Sequence, residues 1–547
     1  MTVCPEIMTA IPTAPQRDGG LPVRRTPGLR ATILSFVWVL VGLCGGSTFA
    51  AGPKPNIVYI LCDDLGYGDV RCLNSDGKIA TPRMDALARD GMVFTDAHSG
   101  SAVCTPTRYG VMTGRYAWRS RLQSGVLGGL SPSLIEPGRL TVASLLKDHG
   151  YHTACVGKWH LGVDWVKLDG KDVNPLSIET PKQVHNVDYS SPFANGPLAN
   201  GFDEYFGISA SLDMVPYTFL RGDRVEVLPT VDKAFAMMHG REGGKTRLGP
   251  AAPEFEDEHV LPALTKETIR IVESQAAAAK SGKPFFIYLP LASPHTPIAP
   301  TAEWRGKSGL NPYADFVMQT DHCIGQIVDA IDKAGLKENT LIVVTSDNGC
   351  SPQAKFDELL AKGHNPSDVF RGTKADIFEG GHHIPFLVRW PARVKAGTET
   401  DQTVWLGDFM ATCAELVGAP LPENAGEDSV SYLAVLEGRA TGPVHEAVVH
   451  HSINGSFAIR QGEWKLAVCP DSGGWSAPRP NNPQASKGLP DVQLFNLKDE
   501  IGEQTNLQDA HPEVVKKLRA LLEKYIADGR STPGAPQKNA VEVKLVK

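Results

Sequence analysis

Ile57-Val-Tyr-Ile-Leu61 runs directly into Cys62-Asp63-Asp64, and this meeting of an apolar run with two carboxylates decides how the chain folds. Five apolar residues without polar alternation read as a strand buried on both faces, as in a parallel sheet. The pattern recurs three times. His152-Thr-Ala-Cys-Val156 leads into Gly157-Lys158-Trp159-His160, Phe285-Phe-Ile-Tyr-Leu289 leads to Ser293-Pro294-His295, and Leu341-Ile-Val-Val-Thr345 leads to Ser346-Asp347-Asn348-Gly349. Helical patterns fall between these runs, over 141–149 with Gly150 as a stop, over 265–280 and over 313–334. Strands alternating with helices predict an open, doubly wound α/β sheet, whose ligands bind beyond the carboxyl ends of the strands. Four polar clusters at four such ends then converge on one crevice.

The rest of the chain is arranged around that sheet. Its 547 residues suffice for a large core and more than one domain. The formal net charge of −7 is mild, and Lys and Arg are scattered without a long basic run, which excludes a nucleic-acid partner. Beyond about residue 435–450 the pattern changes: Phe457-Ala-Ile-Arg-Gln-Gly-Glu-Trp-Lys-Leu466 reads as a hairpin, Val492-Gln-Leu-Phe495 as a further strand, and 512–528 as an amphipathic helix. The expected division is a main domain over 52–440 and a smaller antiparallel sheet with one covering helix over 441–547. Residues 163–258 carry mostly loop signals and are expected to shape a pocket rather than to form core.

Residues 1–51 read as a leader. Arg24, Arg25 and Arg30 precede an apolar run over 31–43, and Ser47-Thr-Phe-Ala-Ala51 supplies small residues suited to cleavage. The run is too short for a stable membrane span, so the expected location is periplasmic or secreted. Of ten cysteines, the eight beyond the leader are dispersed and define no disulfide framework.

Cys104-Thr-Pro-Thr-Arg108, continuing Tyr-Gly-Val-Met-Thr-Gly114, reads as a short helix with Thr105 as N-cap, Pro106 at the first helical position and Gly114 ending it. A sulfur then sits at the positive end of a helix, with Arg108 one turn further on. On its residues alone this is either an activated thiol or a merely buried one. Asp63, Asp64, Asp347 and Asn348 offer only oxygen ligands, which suit Ca²⁺ or Mg²⁺ rather than a structural zinc. Such pairs are also turn formers, but their joint placement after two apolar strands favours a metal. The pairs His382-His383 and His450-His451 have no spaced carboxylate or cysteine partners and are expected to be core or surface residues.

Through these motifs and others like them, the chain resembles a type I sulfatase of the alkaline phosphatase superfamily. The ordered set comprises Pro55-Asn-Ile-Val-Tyr-Ile-Leu-Cys-Asp-Asp-Leu-Gly-Tyr-Gly-Asp69, Cys104-Thr-Pro-Thr-Arg108 with Thr113-Gly-Arg115, and Gly157-Lys-Trp-His-Leu-Gly162. It continues with Gly201-Phe-Asp203, Ser293-Pro-His-Thr-Pro297, Thr345-Ser-Asp-Asn-Gly349 and Arg371-Gly-Thr-Lys-Ala-Asp-Ile-Phe-Glu-Gly-Gly381. The resemblance implies a large mixed, mainly parallel sheet flanked by helices. It implies that a maturation enzyme oxidises Cys104 to formylglycine, directed by Cys104, Pro106 and Arg108, and that the hydrated aldehyde is the nucleophile. It implies one divalent cation, most often Ca²⁺ with Mg²⁺ possible, on Asp63, Asp64, Asp347, Asn348 and residue 104.

In the same family pattern Arg108 and Lys158 hold the diol, and His160 removes a proton so that the covalent sulfate hemiacetal collapses. His295 and Lys374 contact the sulfate and the leaving oxygen, with His295 as the acid. Thr105 and Thr107 replace the commoner serines of the modification motif, which the retained directing residues tolerate. His383 stands where many relatives carry arginine, so no role passes to it.

The expected activity is hydrolysis of aryl sulfates in assays and of a sulfated carbohydrate in nature. One alternative is a phosphonate monoester or phosphodiester hydrolase using the same nucleophile; another is a polysaccharide-binding protein that has lost catalysis. Gly201-Phe-Asp203, Asp213 and Tyr217 are candidates to reach substrate.

Overall fold

The computed structural model describes residues 53–171, 180–480, 482, 484 and 487–545; the leader expected over 1–51 lies outside them. Ten strands form one mixed sheet. Its order is Thr398–Thr400, Met92–Phe94, Phe386–Arg389, Thr340–Ser346, Asn56–Asp63, Phe285–Pro294, His152–Lys158, Glu204–Ile208, Leu220–Arg221 and Arg224–Val225. The five strands from Thr340–Ser346 to Glu204–Ile208 are mutually parallel, and antiparallel strands flank them on both sides. Register then assembles the site: Cys62 lies beside Ser346 and Asp63 beside Pro294, so the polar residues after each strand leave the sheet at one level.

Helices cover the sheet in two sets. Pro82–Arg89, Val260–Lys280 and Pro312–Lys333 pack together, as do Cys104–Thr113, Val142–Asp148 and Phe409–Val417. In the second set Phe409 places its ring 4.4 Å from Tyr59 of the central strand. Thr141 caps its helix by accepting from Ser144 N at 3.0 Å, while Ser144 Oγ accepts from Thr141 N at 2.9 Å. Val260–Lys280 begins five residues before the expected start, because Pro262 falls in the first turn, where no N–H bond is lost.

Two features depart from the sequence expectation. Glu204–Ile208, inside the stretch read as loops, is the outermost of the five parallel strands, with Tyr205, Phe206 and Ile208 buried. Glu204 and Gly207 interrupt its apolar pattern. Gly207 is required there, because a Cβ would lie 1.8 Å from the carbonyl oxygen of Gly157 on the neighbouring strand. The flanking strands Met92–Phe94 and Phe386–Arg389 are too short to show periodicity.

The C-terminal part forms a four-stranded antiparallel sheet, Val448–His451, Phe457–Gln461, Trp464–Ala467 and Gln493–Asn496, in chain order. Helix Pro512–Ala527 covers it with Leu518, Leu522 and Tyr525. The same core contains Tyr116, Trp118 and Trp405 from the main part, and Gly52–Lys547 make one compact unit. Among the described residues no helix is long and apolar enough to cross a membrane.

Candidate active site

Every site residue expected from the sequence is buried, and the strand ends bring most of them into one charge network. Asp63 closes the central strand, and Asp64 turns out of it at φ 64°. Asp347 and Asn348 follow the neighbouring strand, and Asp347 Oδ1 accepts from Asp64 N at 3.3 Å. Lys158 ends its own strand and donates to Asp63 Oδ2 at 2.6 Å. Arg108 grips Asp347 Oδ2 through Nε at 3.0 Å and Nη2 at 2.7 Å, and donates through Nη1 to Lys158 O at 3.0 Å. Lys374 Nζ lies 2.6 Å from Asp64 Oδ1, which also accepts from Asn348 Nδ2 at 2.7 Å. Three non-glycine residues with positive φ occur here, Asp64, His160 and Ala375, so backbone strain is concentrated around the site.

Cys104 is the first residue of helix Cys104–Thr113, and Gly114 at φ 62° ends the helix as expected. The cap differs from the sequence reading. Val103, extended at φ −145°, is the N-cap, and Thr105 lies within the first turn with Pro106 after it. The Thr105 hydroxyl is used elsewhere, accepting from Leu127 N at 3.2 Å. The sulfur nevertheless keeps its place at the helix start. Burial pushes the thiol above its ordinary pKa despite Lys158 and Lys374 nearby, so this cysteine is not a ready thiolate.

The donor set fits a hard divalent cation. Asp63 Oδ1 and Asn348 Oδ1 are buried without a hydrogen-bond partner among the described residues, an expensive arrangement unless something else satisfies them. Ligand atoms of Asp63, Cys104 and Asp347 lie within 4.8 Å of one another, as do those of Asp63, Asp64 and His295. Burial opposes ionisation of Asp63, but Lys158, His295, Arg108 and Lys374 outweigh it and hold its carboxyl well below the usual range. Burial and then the Asp63 charge push Asp347 upward. Three oxygen-bearing acids packed this closely suit Ca²⁺ or Mg²⁺.

Two histidines face this network. His160 Nε2 donates to Leu127 O at 2.8 Å, and its buried Nδ1 has no partner among the described residues. Since Leu127 also bonds Thr105, His160 is tied to the start of the Cys104 helix. Burial first, then Lys158 and Arg108, drives its pKa well below the ordinary value, so the ring is neutral. His295 Nδ1 donates to Thr296 O at 2.5 Å, with Nε2 3.7 Å from Asp64 Oδ2.

Ser211 was not foreseen. Its hydroxyl lies 3.2 Å from Lys158 Nζ and 3.3 Å from His295 Nδ1, just past the strand that the loop-rich stretch concealed. The signal was a further strand end, Gly207-Ile-Ser-Ala-Ser211. Gly201-Phe-Asp203 lies elsewhere: Asp203 accepts from Thr153 N at the opposite end of strand His152–Lys158, and Phe202 stacks on Phe286. Tyr217 is fully buried and spends its hydroxyl on Thr246 and Arg247.

The histidine pairs are core residues, as expected. His382 and His450 stack at 3.9 Å with planes 8° apart. The His382 ring nitrogens already face other groups, Nδ1 lying 3.1 Å from His98 Nδ1 and Nε2 3.1 Å from Lys465 Nζ. His383 bonds Glu379 Oε2 at 3.0 Å and Thr95 O at 2.8 Å.

Comparison with known proteins agrees with this geometry. The sulfatase family model matches residues 55–419. An N-acetylgalactosamine-6-O-sulfatase of Bacteroides thetaiotaomicron is 32% identical over 86% of this chain and 93% of that protein. Arylsulfatase A of Bos taurus is 30% identical over 90% and 92%. A solved Bacteroides thetaiotaomicron sulfatase, described with the metabolism of multiple glycosaminoglycans, superposes with a TM-score of 0.73 at 32% identity, covering 86% of this chain and 99% of that one. The chain belongs to the sulfatase family and is a type I sulfatase of the alkaline phosphatase-like fold.

Proposed function

We propose that this sulfatase acts on sulfate esters of carbohydrates, with residue 104 oxidised from cysteine to formylglycine by a maturation enzyme and one Ca²⁺ as its cation. The observation that carries the reading is Cys104 at a helix start within 4.8 Å of ligand atoms of Asp63 and Asp347, beside two unpaired carboxylate and amide oxygens. The hydrated aldehyde supplies the nucleophilic oxygen. Asp63, Asp64, Asp347 and Asn348 would hold the cation, which supplies positive charge opposite the sulfuryl oxygens.

The protein's own groups do the rest. Arg108 and Lys158 fix residue 104 and offset the charge that grows at sulfur, and Lys374 does so from the far side. His295, with Nδ1 held by Thr296, gives the Nε2 proton to the leaving oxygen. His160 Nδ1, with its lone pair free, takes a proton as sulfate departs. Cleavage in two steps through residue 104 divides one difficult hydrolysis into two easier ones.

The carbohydrate assignment is supported by the name of the Bacteroides relative. Export to the periplasm or the medium is part of the same proposal and is supported by the leader over residues 1–51. The test is sulfate release by the purified protein, with mass spectrometry of the peptide containing residue 104. Aldehyde-bearing protein that frees no sulfate from aryl or sugar sulfates would refute the reading.

A further inference from the structure

Two residues beyond Ser211, the chain places Asp213 beside the reaction site, in a setting that the mechanism leaves unused. Its Oδ2 accepts from Arg247 Nη1 at 2.7 Å, and the same nitrogen donates to the Asp213 carbonyl at 2.8 Å. Tyr217 locks the two segments together. Its hydroxyl lies 2.9 Å from Thr246 Oγ1, 2.5 Å from Arg247 O and 3.3 Å from Asp213 O. Asp213 Oδ1 is sealed from solvent, and the side chain as a whole is 16% exposed. The Arg247 side chain is 29% exposed, and among the described residues its hydrogen bonds are made through Nη1. Burial would raise the Asp213 pKa, but the charges of His295 and Arg247 prevail and keep it ionised. Ser211, two residues before Asp213, lies 3.3 Å from His295 Nδ1 through its hydroxyl.

We propose that Asp213 and Arg247 form the subsite that receives a neutral hydroxyl of the sugar leaving group. The hydroxyl donates to Asp213 Oδ2 and accepts from a free Arg247 N–H. This deepens the carbohydrate reading above and rests on it. A lone arginine would favour an anionic group, such as a second sulfate or a uronate. Paired with a carboxylate, it has its charge cancelled, and what remains is one acceptor beside one donor, the complement of an alcohol. The pair is also pre-organised, since Tyr217 fixes both backbones before substrate arrives. A second sulfate on the neighbouring carbon would meet no net positive charge there and has no proton to give Asp213 Oδ2, so the site selects a singly sulfated sugar at that position.

The test compares kcat/KM for N-acetylgalactosamine 6-sulfate, its monodeoxy analogues and 4-nitrophenyl sulfate, using the wild-type protein, Asp213→Asn and Arg247→Gln. We expect each substitution to lower the sugar-to-aryl ratio about tenfold or more, the size of one lost hydrogen bond to a charged group. One monodeoxy sugar should lose about as much with the wild-type protein and nothing further with Asp213→Asn. A ratio that stays constant, because both substrates slow together or neither slows, overturns the proposal. Where a variant fails to fold, the wild-type series decides: if no single hydroxyl deletion costs more than about twofold, the subsite is absent. Wild-type protein active on the aryl ester but on no sugar sulfate defeats the carbohydrate reading and this subsite with it. Inactivity on both esters defeats the reaction itself.

Discussion

A cysteine at a helix start next to two lysines ordinarily suggests a stabilised thiolate, yet Cys104 is buried so completely that its thiol is pushed upward instead. The proposed modification replaces that thiol with an oxygen nucleophile. In a host that oxidises only cysteine, Cys104→Ser should therefore lose turnover by about 10³-fold or more. Its melting temperature should stay close to that of the parent protein, because one atom of similar size is exchanged. Full activity in the variant would overturn the modification. His160 leads to a kinetic expectation. In the proposed mechanism its neutral Nδ1 is the acceptor in the release step, so His160→Gln, which can still bond Leu127 O, should release one equivalent of aryl alcohol in a burst. Turnover should then continue about 10²-fold or more slower. Stopped-flow absorbance reads this directly, and the absence of a burst would move the base elsewhere. The residues legible in sequence were those that end long apolar strands, Asp63, Lys158, His295 and Asp347. Ser211 and Arg247 were not legible, since they follow a strand of five residues and a loop, and only the fold brings them near.

At the scale of elements, the long parallel strands declared themselves because burial on both faces leaves no polar alternation to misread. The short antiparallel strands did not, because three or four residues carry no period and their pairing is set by the strands already in place. Helix Pro82–Arg89 shows how far apart in sequence such support can lie. Asp321, from helix Pro312–Lys333, accepts from Arg83 N at 3.1 Å and Met84 N at 2.8 Å, serving as a cap from 237 or more positions away. Burial raises its pKa to about 7, although those two N–H bonds favour the charged form. A carboxyl whose folded pKa exceeds its unfolded value binds more protons in the folded state, so stability falls as pH rises between the two values and is level above them. Denaturant titrations should show this contribution declining from about pH 4 to about pH 7. Asp321→Asn, which can still accept from both amides, should flatten that interval. An unchanged pH slope in the variant would remove Asp321 as its source.

Over the whole molecule, the core beneath the C-terminal sheet is completed by Tyr116, Trp118 and Trp405 of the main part. Arg119, buried and stacked over Trp118 with its guanidinium carbon 4.2 Å from the ring centroid, is the joint. It donates to Asp428 Oδ2 at 2.8 Å and Oδ1 at 2.7 Å on one side, and to Tyr525 O at 2.9 Å and Asn539 Oδ1 at 3.0 Å on the other. Asp428 in turn accepts from Tyr116 N and Ser531 N, each at 2.9 Å. Removing the carboxylate strands a buried guanidinium, so Asp428→Ala should cost about 3–5 kcal/mol in denaturant unfolding. The same joint bears on residues 441–547 taken alone. Their helix covers a core that Tyr116, Trp118 and Trp405 complete from outside that span. Expressed separately, the segment would expose that apolar face, and a span of about 100 residues with an incomplete core has little stability in reserve. We expect it to show no cooperative thermal transition and no protected amides in hydrogen exchange. Co-expression with residues 52–440 should restore both, because the three aromatic rings and Arg119 return with it. A cooperative transition in the isolated segment would show instead that its own four strands and helix suffice, and that the shared core is not needed for folding.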